Sequence, residues 1–157
     1  MWSAVLVALA SFGCGGVKKS EPKDVNYEVR KRITAALKED RELDSGARGM
    51  LEVIKAGQFD LQAGLDGLAK QSEKILDLIT RVSAPAPPTD KNLAAAQSAT
   101  EEYLRNRVYQ LEASLAANTP AELDALYNGS SASLSAERQR ILEFLLRYDP
   151  SLEKSLP

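Results

Sequence analysis

The sequence predicts an all-α protein that folds as an up-and-down helical bundle. Apolar residues recur at intervals of three and four along most of the chain, which is the spacing of one face of an α-helix. No stretch alternates apolar and polar residues in the way that a half-buried strand does. Because short connections favour antiparallel neighbours, we expect consecutive helices to pack antiparallel. The pattern predicts three main helices, one of them long and central, followed by a C-terminal helical pair.

The first helix is predicted over residues 25–43. Asp24 is suited to cap it, because an aspartate side chain can accept a hydrogen bond from a free backbone N–H of the first turn. The residues 44–46, Asp-Ser-Gly, then predict a break, although a helix that runs through them without a turn stays open. The apolar positions that recur every fourth residue are Val25, Val29, Ile33 and Leu37.

The long central helix is predicted over residues 47–83, where positions spaced by three and four form one apolar seam. Gln58 and Ser72 are polar positions in this seam, and they either fix the register or lie where no partner helix covers it. Gly57 and Gly64 lie beside the seam, where they indicate either the close approach of a helix or ligand, or a kink. The seam consists of Leu51, Ile54, Gln58, Leu61, Leu65, Leu68, Ser72, Ile75, Ile79 and Val82.

A proline-rich segment separates the central helix from a third helix. Residues 83–88 contain three prolines, which cannot continue a helix interior because proline lacks the backbone N–H donor. Thr89 or Asp90 is then predicted to cap the third helix, which continues to about Asn118.

The C-terminal pair begins with a short helix. Residues 119–122, Thr-Pro-Ala-Glu, resemble a capping box with proline at the first helical position, and residues 128–129, Asn-Gly, stop the helix. Ser135 is predicted to cap a last helix that ends before residues 149–150. The tail to Pro157 is expected to add one further turn.

The composition excludes several classes of function. The chain has no histidine and one cysteine, which excludes an internal disulfide, histidine-ligated zinc or haem, and His-dependent nucleophilic catalysis. A formal charge of −2 argues against nucleic acid as a partner, because phosphate recognition needs a basic face. Most carboxylates alternate with Lys and Arg, as on solvated helix faces. We therefore expect no enzyme activity, no cofactor and no metal site.

The charge is unevenly distributed near the N-terminus. Residues 18–38 hold seven basic side chains against three acidic ones. Such a segment can rest against anionic lipid head groups, or it can form an ordinary solvated helix face.

The first sixteen residues carry the clearest functional signal. An apolar run over residues 2–10 is followed by Ser11, Phe12, Gly13 and Cys14, and charge begins at Lys18. This is shorter than the roughly 20 apolar residues that a membrane-spanning helix needs. A short apolar core that ends in small residues and a lone cysteine resembles the signal peptide and lipobox of a bacterial lipoprotein. The lipobox is atypical, because Ser11 and Phe12 stand where the family usually has Leu and a small residue.

The resemblance implies that the chain has three parts. Residues 1–13 would be a signal peptide, residues 14–24 the lipidated cysteine with a flexible tether, and residues 25–157 the helical bundle domain. Cys14 would be the lipid attachment residue. Gly15, in place of the Asp that marks retention in the inner membrane, implies the outer membrane, with the domain facing the periplasm or the cell surface. Conventional cleavage after Ala10 is the alternative.

Two functions are compatible with these observations. The preferred one is a non-enzymatic envelope lipoprotein that is tethered to the membrane by its lipid and binds another envelope protein through an exposed apolar or tyrosine patch. The alternative is a soluble exported carrier of a small apolar ligand, with a pocket near Gly57, Gln58 and Gly64. The tyrosines that form either such a patch or part of the core are Tyr103, Tyr109, Tyr127 and Tyr148.

Overall fold

The computed structural model describes residues 24–154 and residue 156, and this part of the chain is helical with no strand. The all-α bundle of three main helices and a C-terminal pair is therefore confirmed. Cys14, the predicted signal peptide and most of the predicted tether lie outside the described residues. The elements are α1 (Val25–Lys55), α2 (Leu61–Ser83), α3 (Lys91–Ser114), α4 (Pro120–Gly129), α5 (Ser131–Tyr148) and a short 3-10 helix (Pro150–Lys154).

The helix that holds the bundle together is α3, which contacts each of the other four α-helices. Its largest interfaces are with α2 and α5, while α1 packs against both α2 and α3. The helices α1 and α2 are antiparallel, because Arg32 near the start of α1 donates to the carbonyl of Arg81 near the end of α2 at 3.1 Å. None of the described helices is long and apolar enough to cross a membrane.

The predicted break at residues 44–46 is wrong, as is the predicted continuous helix over residues 47–83. Helix α1 passes through residues 44–46 without interruption and ends at Lys55. On both sides of this segment, α1 presents buried residues to the rest of the bundle, so that tertiary packing outweighs the low helix propensity of glycine. The buried residues on either side are Leu37, Asp40, Ala47 and Leu51.

The true break lies at residues 56–60, and Gly57 defines it. Gly57 has φ of +69°, a left-handed conformation that glycine adopts without the steric cost of a Cβ. Its N–H donates to the carbonyl of Ile54 at 2.9 Å, and the N–H of Gln58 donates to that of Val53 at 3.0 Å. This pair of hydrogen bonds is a Schellman motif, which ends a helix and satisfies its last carbonyls. A kink at Gly57 is one alternative that the sequence leaves open, but the chain ends one helix there and begins another.

The remaining boundaries follow local capping. Asp24 accepts from the N–H of Asn26 at 3.0 Å, and Asp90 accepts from the N–H of Asn92 at 2.8 Å, as the sequence predicted. Thr119 accepts from the N–H of Glu122 at 3.2 Å, which confirms the cap of α4. Two predicted boundaries were misplaced by about one turn, because α3 ends at Ser114 and α5 begins at Ser131. The predicted final turn is present as the 3-10 helix.

Candidate functional site

A cluster of charged and polar side chains is buried between α1, α3 and α4. We call it the buried polar cluster, and at its centre Arg107 is 2% exposed and Asp40 is 0% exposed. The Nε of Arg107 donates to Oδ1 of Asp40 at 3.1 Å, and the hydroxyl of Tyr103 donates to the other oxygen of Asp40. Both carboxylate oxygens are thus satisfied away from water. The cluster consists of Asp40, Asp44, Tyr103, Arg107, Gln110 and Tyr127.

The other side of the Arg107 guanidinium connects the three helices. Its Nη1 donates to Oε1 of Gln110, and its Nη2 lies 3.2 Å from Oδ1 of Asp44. The hydroxyl of Tyr127 on α4 donates to Asp44 on α1 at 2.7 Å. Gln110 in turn donates to the backbone carbonyl of Tyr127. Arg107 therefore links α3 to both α1 and α4.

Burial and charge together shift the pKa values of this cluster. Burial raises the pKa of Tyr103, the negative charge of Asp40 raises it further, and the positive charges of Arg107 and Arg138 oppose the rise. Burial also raises the pKa of Tyr127, to about 12. Both phenols therefore stay protonated at physiological pH and act as hydrogen-bond donors.

Arg107 and Asp44, which both form hydrogen bonds with Tyr127, are held in their ionised forms. Burial by itself would lower the pKa of Arg107, but the negative charges of Asp40 and Asp44 and the interaction with Tyr127 together outweigh burial and raise it. Burial by itself would raise the pKa of Asp44, but hydrogen bonds from Arg48 and Tyr127, with the charge of Arg107, lower it. A general acid or base needs a pKa near the working pH, and none of these shifts moves a group in that direction. The cluster therefore holds charged side chains and phenol donors in fixed positions between the helices.

A cavity of about 170 Å³ opens beside the cluster, between α1, α3 and α5. We call it the arginine cavity, because Arg48, Arg107 and Arg138 line it from three different helices. The hydroxyls of Ser131 and Ser135, on the first turns of α5, also belong to its wall.

A second concave surface lies between α3, α4 and α5, and its volume is about 400 Å³. We call it the Tyr109 groove. Tyr109 on α3 is 66% exposed and Leu126 on α4 is 40% exposed, and both line it. The only charged residue among those lining it is Glu137, whose carboxylate accepts from Asn106 at 3.0 Å. The groove therefore combines exposed apolar side chains with a mostly uncharged lining.

The positions that the sequence singled out have different environments. Gln58 is exposed in the α1–α2 connection, whereas Ser72 is buried in the seam of α2. Gly64 is a place of close approach, because a Cβ there would lie 2.3 Å from Cδ1 of Ile54. The predicted ligand pocket would therefore have to form where the side chain of Ile54 is packed. Of the four tyrosines, Tyr103 and Tyr127 are buried, Tyr148 is half-buried and Tyr109 is exposed.

Asp40 and Arg107 were not predicted as site residues. Their positions nevertheless carry a signal, because each continues an apolar helical face. Asp40 follows Leu37 by three residues, and Arg107 follows Leu104 by three. Opposite charges on the apolar faces of two helices indicate a buried pair when the two faces meet, but the sequence alone does not say which faces meet.

The described residues contain no group of three or more Asp, Glu or Cys side chains that could hold a metal ion. Comparison with known proteins gives no relative, because no family model, curated protein or solved structure matches the chain.

Proposed function

We propose that this protein is a non-enzymatic bacterial envelope lipoprotein whose helical bundle binds another envelope protein. The lipid is attached at Cys14, and residues 15–23 form the tether to α1. A chain of nine residues spans at most about 30 Å, which sets an upper limit on the distance between the lipid and α1. The resemblance of Ser11, Phe12, Gly13 and Cys14 to a lipobox, with Gly15 after them, supports an outer-membrane address.

The observation that supports the binding role is the exposure of Tyr109 on α3 and Leu126 on α4, both of which line the Tyr109 groove. Tyrosine is enriched among the side chains that dominate binding energy, because it offers a large rigid apolar area with a polar end. Removing such area from water contributes about 25 cal/mol per Å² of apolar surface. The expected occupant is an apolar segment of a partner protein, such as one face of a helix or an extended loop.

The alternative, a carrier of a small apolar ligand, has less support. Its pocket was expected beside Gly64, where the side chain of Ile54 is packed. A small ligand is usually enclosed over most of its surface. Tyr109, which lines the groove, is instead mainly exposed to solvent. The Tyr109 groove therefore fits a protein surface better than an enclosed ligand.

The tether is tested by metabolic labelling of cells that express the chain, using an alkyne fatty acid. We expect the wild type to carry the label and to fractionate with membranes, and Cys14→Ser to lose the label. An exported, well-expressed wild type without label would refute the lipid anchor.

The binding role is tested by site-specific photocrosslinking in the same cells. A photoreactive amino acid at position 109 is compared with one at position 105, an exposed α3 residue that does not line the groove. We expect one discrete crosslinked product from position 109, no such product from position 105, and loss of the product when Leu126→Ser is added. Equal crosslinking from both positions, or a product that persists with Leu126→Ser, would contradict a role for the groove.

A further inference from the structure

The arginine cavity brings together three guanidinium groups from parts of the chain that are far apart in sequence. Arg48 belongs to α1, Arg107 to α3 and Arg138 to α5. Converging like charges repel one another, so an arrangement of this kind needs negative charge nearby. Asp44 in the wall pairs with Arg48 and Arg107, and Asp40 behind it pairs with Arg107.

Contacts within the bundle hold the guanidinium of Arg48 in place. Its Nε donates to Oδ2 of Asp44 at 2.9 Å, its Nη1 donates to Asn128 at 3.2 Å and its Nη2 donates to Oγ of Ser131 at 3.5 Å. The group also lies 5.7 Å from the ring centroid of Tyr127. Each terminal nitrogen of a guanidinium carries two hydrogens, so these contacts leave Arg48 donors available to another acceptor. A cation already fixed in position costs little additional ordering when it binds an anion.

The N-terminus of α5 adds to the positive potential of the same cavity. Helix α5 has 18 residues, and its N-cap residue Ser130 makes no side-chain capping hydrogen bond. Ser130 lines the Tyr109 groove, and its buried hydroxyl has no hydrogen-bond partner, so α5 begins without the side-chain acceptor that caps α1 and α3. Ser131, the first residue of α5, lines the arginine cavity. An uncapped N-terminus carries a partial positive charge and free N–H donors, both of which favour an anion.

We propose that the arginine cavity binds a small oxyanion, either a phosphate or a carboxylate group. Arg48 and Arg138 supply the charge, and the hydroxyls of Ser131 and Ser135 donate to the oxyanion from α5. Arg107 forms the base of the cavity, where Asp40 fixes it. Paired guanidinium groups suit this ligand because their N–H donors match the spacing of phosphate and carboxylate oxygens. The volume of about 170 Å³ limits the bound group to a small one.

The experiment is a titration of the full-length protein in detergent, at constant ionic strength, with sodium phosphate in one arm and sodium acetate in the other. Calorimetry gives the dissociation constant, and thermal unfolding gives the accompanying rise in Tm. Saturable binding of either anion at one site supports the proposal, and the stronger arm identifies phosphate or carboxylate as the preferred group. No saturable binding in either arm would overturn it.

The matched variants are Arg138→Gln and Arg140→Gln, which remove the same charge from the same helix. Arg140 is not among the residues lining the cavity, and its guanidinium lies 5.6 Å from the ring centroid of Phe144. We expect Arg138→Gln to weaken binding by about tenfold or more, as loss of a charge-assisted hydrogen bond does, and Arg140→Gln to leave it within about twofold. Equal losses in the two variants would show non-specific attraction to net charge and overturn the proposal.

A second variant covers the case in which Arg138→Gln does not fold. Ser135→Glu places a carboxylate at the cavity from an exposed position without removing an arginine. We expect this variant to lose phosphate or acetate binding while it retains a cooperative thermal transition. Undiminished binding in Ser135→Glu would place the anion elsewhere and overturn the proposal.

Discussion

Replacing Arg107 by methionine tests whether the buried polar cluster is a single cooperative unit. Methionine keeps an unbranched side chain of similar reach but removes every donor. In Arg107→Met, the fully buried carboxylate of Asp40 would keep the hydrogen bond from the hydroxyl of Tyr103 but lose the one from the guanidinium. Gln110 would lose the guanidinium that now donates to its Oε1. The variant therefore leaves one charge and one amide oxygen inadequately paired inside the protein.

The magnitude follows from these two losses. Breaking a buried ion pair by removing one partner costs about 3–5 kcal/mol, because the other charge is left desolvated. A domain of this size has a free energy of unfolding of about 5–15 kcal/mol, so Arg107→Met is expected to lose a large part of it. Adding Asp40→Leu removes the stranded carboxylate, and we expect the double variant to recover about 2 kcal/mol or more relative to the sum of the single changes.

Urea unfolding followed by circular dichroism at 222 nm measures these free energies. The control is Arg105→Met on the exposed side of α3, where a salt bridge of 3.4 Å to Glu101 contributes little. We expect that control to change the free energy of unfolding by less than about 0.5 kcal/mol. A loss below about 1 kcal/mol in Arg107→Met, or single changes that simply add in the double variant, would refute the reasoning.

Three further predictions use the same unfolding measurement. Gly49→Ala should stabilise the protein by about 0.5–1 kcal/mol, because Gly49 is exposed within α1 and a Cβ there meets nothing within 4 Å; a destabilised variant would contradict this. Gly57→Ala should destabilise it by about 1 kcal/mol, since alanine is strained at φ of +69°, and unchanged stability would argue against the left-handed helix end. Asp44 has a lowered pKa, because hydrogen bonds from Arg48 and Tyr127, with the charge of Arg107, overcome the opposing effect of burial. Its contribution to stability is therefore present above the unfolded-state pKa of about 3.9. That contribution is lost as the pH falls through the lower folded-state pKa. Asp44→Asn should accordingly lose less Tm between pH 5 and pH 2 than the wild type does, and an equal loss would exclude Asp44 as a source of acid sensitivity.

The position of the α1–α2 break shows how far local signals reach. The residues 44–46 contain the usual stop signals, and a helix nonetheless continues through them. Gly57 lies within a continuous apolar period and still ends the helix, because its left-handed φ allows the two hydrogen bonds of the Schellman motif. By its local sequence alone, each of the two glycine-containing stretches could be helix or turn. The packing of Ala47 and Leu51 into the core favours a helix through residues 44–46, so that the turn forms at Gly57.

The sequence by itself determined the helical class, the number of helices and most of their caps, because each depends on residues within a few positions of one another. Asp24, Asp90 and Thr119 cap their helices as their local sequences indicate. It also supplied the lipobox-like segment around Cys14, from which the membrane anchor is inferred.

Only the tertiary structure decided which polar residues are buried together and where the surface is concave. Asp40 and Arg107 are 67 residues apart, and nothing local indicates that their helix faces meet. The arginine cavity needs α1, α3 and α5 in contact, and the Tyr109 groove needs α3, α4 and α5. These features depend on the relative placement of whole helices, which arises from the packing of many side chains at once and has no signature in any single segment.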